Sequence, residues 1–132
     1  MPNNSQYSKE WIAQAEYDLG TAKVMFESGR NIYCVFMCHL CIEKAFKALY
    51  VKQLNKNSPR THSLVYFAQS LKLDLPKEHK EFIENLDGVS VPVRYPGELS
   101  KALKEYDKTR TENILIKTKE LLEWLKAKLK KP

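Results

Sequence analysis

Apolar residues along this chain fall into blocks with helical spacing. Trp11, Ile12, Ala15, Leu19, Ala22, Met25 and Phe26 recur at three- and four-residue steps, so a first helix with one apolar face is predicted over about residues 8–28. Ser8 is the predicted N-cap, Glu10 suits the first turn, and Gly29 marks the C-terminal stop. After the tight link Gly29-Arg30-Asn31, residues 32–54 form a second helix, which so short a connection lays antiparallel to the first. From Ile32 to Ile42 this segment is almost wholly apolar, the pattern of a helix buried on every side.

The polar loop Asn55-Lys56-Asn57-Ser58-Pro59-Arg60 ends that helix. Thr61 is the predicted cap of a short third helix carrying Leu64, Phe67, Ala68 and Leu71. A fourth begins near Pro76, with Phe82, Ile83 and Leu86 on its apolar face. Residues 87–97 hold two prolines and two glycines and cannot be regular helix, although Val89, Val91 and Val93 alternate as a short extended piece would. A last helix is predicted from a capping box, Thr109-Arg110-Thr111-Glu112, with Leu115, Leu121, Leu122, Leu125 and Leu129 facing inward. The expected architecture is one all-α domain over residues 1–132, an up-and-down bundle of four to five helices with its core at about 8–128.

Composition narrows the class further. With 132 residues, 43% hydrophobic and 29% charged, the chain can bury a core without staples. Glu43 and Lys44 interrupt the best apolar run before it reaches the ~20 residues of a membrane span, and the N-terminus lacks a basic segment followed by an apolar one. A cytoplasmic protein with no membrane partner is expected. The net charge of +6 suits an anionic partner such as a nucleotide or RNA without specifying one. Part of it lies in Lys126, Lys128, Lys130 and Lys131, where cations favour a helix C-terminus.

Two groups on the second helix carry candidate chemistry. Cys34, Cys38 and Cys41 have the spacing with which radical-SAM enzymes hold an iron–sulfur cluster, but that chemistry needs a cysteine loop in a much larger barrel. On a helix in a chain this size they read as small buried hydrophobes, with no metal and no cofactor expected, and an odd count argues against a disulfide framework. His39, Glu43 and Lys47, spaced i, i+4, i+8 with Lys44 alongside, make a polar stripe on a helix too apolar to hold charges without partners. The stripe reads either as a binding site or as an ordinary pairing of Glu43 with Lys47, and His39 as a core histidine.

The order of these motifs resembles a known family. Trp11 with Ala15 and Asp18-Leu19 precedes Glu43-Lys44-Ala45-Phe46-Lys47-Ala48-Leu49, then come Pro59-Arg60-Thr61-His62-Ser63-Leu64, Arg94-Tyr95-Pro96 and a long closing helix. This pattern, over about residues 8–128, is similar to the HEPN domain (higher eukaryotes and prokaryotes nucleotide-binding). The resemblance implies a helical bundle that forms a homodimer. It also implies pairing with a minimal nucleotidyltransferase protein, in which the HEPN chain binds substrate or nucleotide or acts as the toxin. Carried onto this chain, it assigns nucleotide or anion binding to Lys44, Lys47, His62, Arg94 and Tyr95, with Glu43 as a pairing residue that Arg94 could neutralise across the core.

Other members of the family are metal-independent ribonucleases carrying Arg, four to six residues, then His. Here Arg30 meets its next histidine only at His39 and Arg60 at His62; Arg94 and Arg110 meet none, and no Arg precedes His79 at the required distance. A non-catalytic binding protein is therefore the first expectation. A ribonuclease toxin using His62 with Arg60 or Arg94 is the alternative, and a structural dimerisation module is a third.

Overall fold

A computed structural model describes residues 4–89 and 97–130. Six helices occupy them: α1 (Asn4–Glu27), α2 (Asn31–Leu54), α3 (Leu64–Ser70), α4 (Lys77–Leu86), α5 (Glu98–Glu105) and α6 (Lys108–Leu129). No strand occurs among the described residues, and none of their helices is long and apolar enough to cross a membrane. The alternating valines at 91 and 93 lie outside the described residues.

The three long helices form the frame. α1 reverses into α2 through a Schellman closure, with Gly29 at φ 75°, its N–H on the Phe26 carbonyl and the Arg30 N–H on the Met25 carbonyl at 2.7 Å. α6 lies parallel to α2, because their ends are tied pairwise. Asn31 Nδ2 donates to the Tyr106 carbonyl at 3.0 Å, and Lys52 Nζ donates to the Leu129 carbonyl at the other end. The short helices α3, α4 and α5 carry the chain back between these two parallel rods.

As its apolar run requires, α2 sits at the centre, with half of its 24 residues buried. Ile42, Phe46 and Leu49 pack with Phe67 of α3, Ile83 of α4 and Leu121, Leu122 and Leu125 of α6. The rings of Phe46 and Phe67 stack at 6.1 Å. Cys41 belongs to this core, while Cys34 and Cys38 join Ala22 in a smaller cluster against Met25, Phe26 and Leu115. All three cysteines are free buried thiols, consistent with their reading as packing residues.

Helix starts differ from the predictions at four places. α1 begins at Asn4, so Ser8 is inside the helix; buried, it donates its hydroxyl to the Ala48 carbonyl of α2 at 3.1 Å. Ser63 rather than Thr61 caps α3, accepting the Tyr66 N–H at 3.1 Å, while Thr61 accepts the Ser63 N–H. Pro76 is the cap position of α4, with extended ψ of 148°, and helix begins at Lys77. Asp107, not Thr109, caps α6 by accepting the Arg110 N–H at 2.8 Å; a carboxylate two residues upstream takes the donors first.

Candidate functional site

The polar stripe on α2 becomes a three-dimensional cluster. Glu43 is 3% exposed at the side chain, yet both its oxygens have cationic or imidazole partners. Oε2 lies 3.0 Å from Lys47 Nζ, one turn along, and Oε1 lies 2.9 Å from Nδ1 of His62 in the loop before α3. Burying a carboxylate is costly, and this double pairing is what makes the position tenable. The Lys47 ammonium also sits 5.0 Å from the centre of the Trp11 ring of α1, a cation–π contact that holds the long side chain down.

A second carboxylate lies on the other side of His39. Asp87, at the C-terminal end of α4, reaches back to the start of α3 and accepts the Leu64 N–H at 2.7 Å, the Val65 N–H at 3.0 Å and the Ser63 hydroxyl at 3.3 Å. It supplies an N-terminal cap from a different helix. His39 stands between the two acids, with Nδ1 3.8 Å from Glu43 Oε1 and Nε2 3.5 Å from Asp87 Oδ1. Burial holds its pKa below the ordinary histidine value, outweighing the pull of Glu43 and Asp87. The neutral ring is a spacer between two carboxylates, consistent with its reading as a core residue.

The remaining predicted residues divide. Lys44 turns away from Lys47 and pairs with Asp18 of α1 at 2.8 Å, so the structure does not bring it to the His62 group. Arg60 is exposed, two residues before His62, with no ion pair among the described residues. Arg94 and Tyr95, together with the expected Arg94–Glu43 pairing, lie outside the described residues. Among the described residues, no group of three or more His, Cys, Asp or Glu could hold a metal ion.

Two members of the cluster escape the sequence reading. Trp11 reads as an apolar position of α1 and the first residue of the family pattern but not as a partner of Lys47, and Asp87 reads as the start of a Pro/Gly loop. Trp11 carries a faint signal, because tryptophan is the ring that attracts a cation most strongly. Asp87 carries none, since its partners are 22 to 24 residues away.

Chemically, the group offers an imidazole whose side chain is 78% exposed, held at Nδ1 by a buried carboxylate, with an ammonium beside it. Such an arrangement can bind an anion and can present the other ring nitrogen in a fixed direction.

The family model for the HEPN domain matches residues 8–128, and the chain belongs to the HEPN domain family. It is 34% identical over 140 residues to Putative toxin MJ1304 of Methanocaldococcus jannaschii, an alignment covering 96% of this chain and 91% of that protein. Among solved structures, it resembles ST0689, an archaeal HEPN homologue, with a TM-score of 0.74 at 25% identity over 98% of this chain and 100% of that one. It shares its fold with TT1696 from Thermus thermophilus, with a TM-score of 0.78 at 23% identity over 92% and 97% of the two chains.

Proposed function

We propose that this chain is the HEPN member of a toxin–antitoxin-type pair, a homodimer that binds a nucleotide or RNA phosphate and works with a minimal nucleotidyltransferase protein. The observation that carries the binding role is the seating of exposed His62 on buried Glu43 beside Lys47. A ligand phosphate meets the Lys47 ammonium and the free edge of the imidazole without either side chain having to be ordered first. The likeness to Putative toxin MJ1304 supports the toxin-type context. The binding test is titration with ATP and with a short single-stranded RNA. Lys47→Ala and His62→Ala should each weaken binding, and binding unchanged in both variants would overturn the assignment.

The Glu43–His62 contact also favours a second reading, a metal-independent ribonuclease with His62 as general base or acid and Arg60 on the phosphate. A buried carboxylate that orients an imidazole is what acid–base catalysis requires. The absent Arg-to-His spacing weighs against it. Incubation of the pure protein with RNA separates the two readings. Cleavage lost in His62→Ala establishes the enzyme, and intact RNA with retained binding establishes the binding module.

A further inference from the structure

Where α2 and α6 end and α1 begins, a cavity of about 380 Å³ opens between the three helices. Four lysines line it: Lys9 from α1, Lys52 from α2, and Lys126 and Lys130 from the end of α6, with Ile12 and Leu129 as apolar wall. None of these residues belongs to the Glu43 group. Lys52 is nine residues further along α2 than Glu43, about 13 Å at the helical rise.

Helix dipoles account for part of this cluster and leave part unexplained. The carbonyl ends of α2 and α6 favour cations, which suits Lys52, Lys126 and Lys130. Lys52 donates to the Leu129 carbonyl, and Lys126 lies 2.6 Å from Glu16 and 3.6 Å from Glu123. Lys9 is different. It lies in the second turn of α1, beyond the reach of that helix's N-terminal dipole and far from its carbonyl end, so no helix end accounts for its place here. Neither Lys9 nor Lys130 has an ion pair or side-chain hydrogen bond among the described residues. Two exposed lysines with no such partner thus line the same concavity as two that are already neutralised in part. The mutual repulsion would be relieved by a bound anion, and the apolar wall gives the rest of such a ligand a surface.

We propose that this cavity is a binding site for an oligophosphate chain, either free or carried by a nucleoside. Lys9 and Lys130 contact the phosphates from opposite sides. Lys52 and Lys126 add longer-range attraction, and Ile12 with Leu129 receives the uncharged part of a nucleoside-bearing ligand. The ligand bridges the first turns of α1 to the C-terminal end of α6, so binding stabilises this end of the bundle, opposite the α1–α2 reversal.

The test is calorimetric titration of the full chain, at fixed ionic strength, with inorganic tripolyphosphate and with ATP. Tripolyphosphate should bind saturably, and Lys9→Ala/Lys130→Ala should weaken it by roughly tenfold or more, as loss of two charge-assisted contacts implies. These two side chains hold no internal partner, so the variant keeps its fold, which an unchanged melting curve without ligand verifies. Lys101→Ala/Lys104→Ala on α5 removes the same charge elsewhere and should leave affinity unchanged; equal weakening would reduce the effect to net charge and overturn the site. Absence of saturable binding by the parent chain would overturn it as well. Loss of tripolyphosphate binding in Lys47→Ala or His62→Ala, with Lys9→Ala/Lys130→Ala unaffected, would move the anion to the His62 group. ATP binding tighter than tripolyphosphate assigns the ligand to nucleotides, and equal affinity assigns it to the phosphate chain alone.

Discussion

Glu43 grips His62 from inside the core. Its Oε1 is 2.9 Å from the imidazole Nδ1, while the carboxylate is 3% exposed and the ring 78%. The dependence is one-sided. Without Glu43, the Lys47 ammonium loses its 3.0 Å partner and the packed interior loses the one acid that pairs with it. Without His62, Glu43 keeps Lys47 and solvent fills the gap. Glu43→Ala should therefore cost about 3–5 kcal/mol of folding stability, as removal of one partner from a buried pair does. His62→Ala should cost less than about 1 kcal/mol, the scale of a largely exposed pair. Urea denaturation of the two variants measures both, and similar losses would show that His62 is a structural anchor and not a presented group.

Asp87 joins two helices through their ends. Its three accepted bonds, at 2.7, 3.0 and 3.3 Å, satisfy the first donors of α3 from the C-terminal end of α4. Asp87→Ala should lower stability by about 2 kcal/mol, at the upper end of a helix-cap deletion because the bonds are charge-assisted and partly buried. Asp87→Asn, which keeps one acceptor, should lose about half of that. Hydrogen exchange at the Leu64 and Val65 amides locates the effect, and protection unchanged in Asp87→Ala would contradict this account.

Helical periodicity reveals one half of this site and is blind to the other. His39, Glu43 and Lys47 share a helix, so the four-residue spacing aligns them before any tertiary structure is known. The pairing of Glu43 with His62 and of Asp87 with α3 spans 19 to 24 residues, and no local pattern encodes it. Helix caps are hard to read for a related reason. Several Ser, Thr and Asp residues compete near each start, and Asp107 over Thr109, or Ser63 over Thr61, is decided by which backbone donors the packed chain leaves open. α5 escapes the periodic pattern because its Leu99, Ala102 and Leu103 span barely one helical turn, and none of its residues is buried. The deep core is legible throughout, since Ile42, Phe46, Leu121 and Leu125 carry the strongest periodic signal and the most complete burial.

The thiols provide a test of packing that is independent of the site. Cys34, Cys38 and Cys41 are each fully buried, and burial pushes the Cys41 thiol up to about 12. The hydrogen bond with Cys38 moves Cys34 the other way, downward, so its protection rests on burial alone, and an inaccessible thiol does not react. A thiol reagent such as Ellman's disulfide should label none of the three in the native chain at neutral pH and all three in denaturant. Stoichiometric labelling of the native chain would mean that α2 is not enclosed by α1 and α6 as described.

The last prediction concerns pH, and its sign follows from His39. Burial lowers the folded pKa of His39 below its ordinary 6.5, with Glu43 and Asp87 opposing the shift and His62 assisting it. In acid of about that value the unfolded chain takes up a proton on His39 that the native chain still refuses, so the unfolded state binds more protons. Stability should therefore rise with pH through the window below 6.5, level off above it, and fall as the solution is acidified toward the depressed folded value. His39→Gln removes this group and leaves the other two histidines in place in both proteins. The variant should show a shallower dependence between about pH 5 and 7 in denaturant melts, the range in which histidines titrate. A slope equal to that of the parent would assign the acid sensitivity to other groups and leave the spacer role of His39 without consequence for stability.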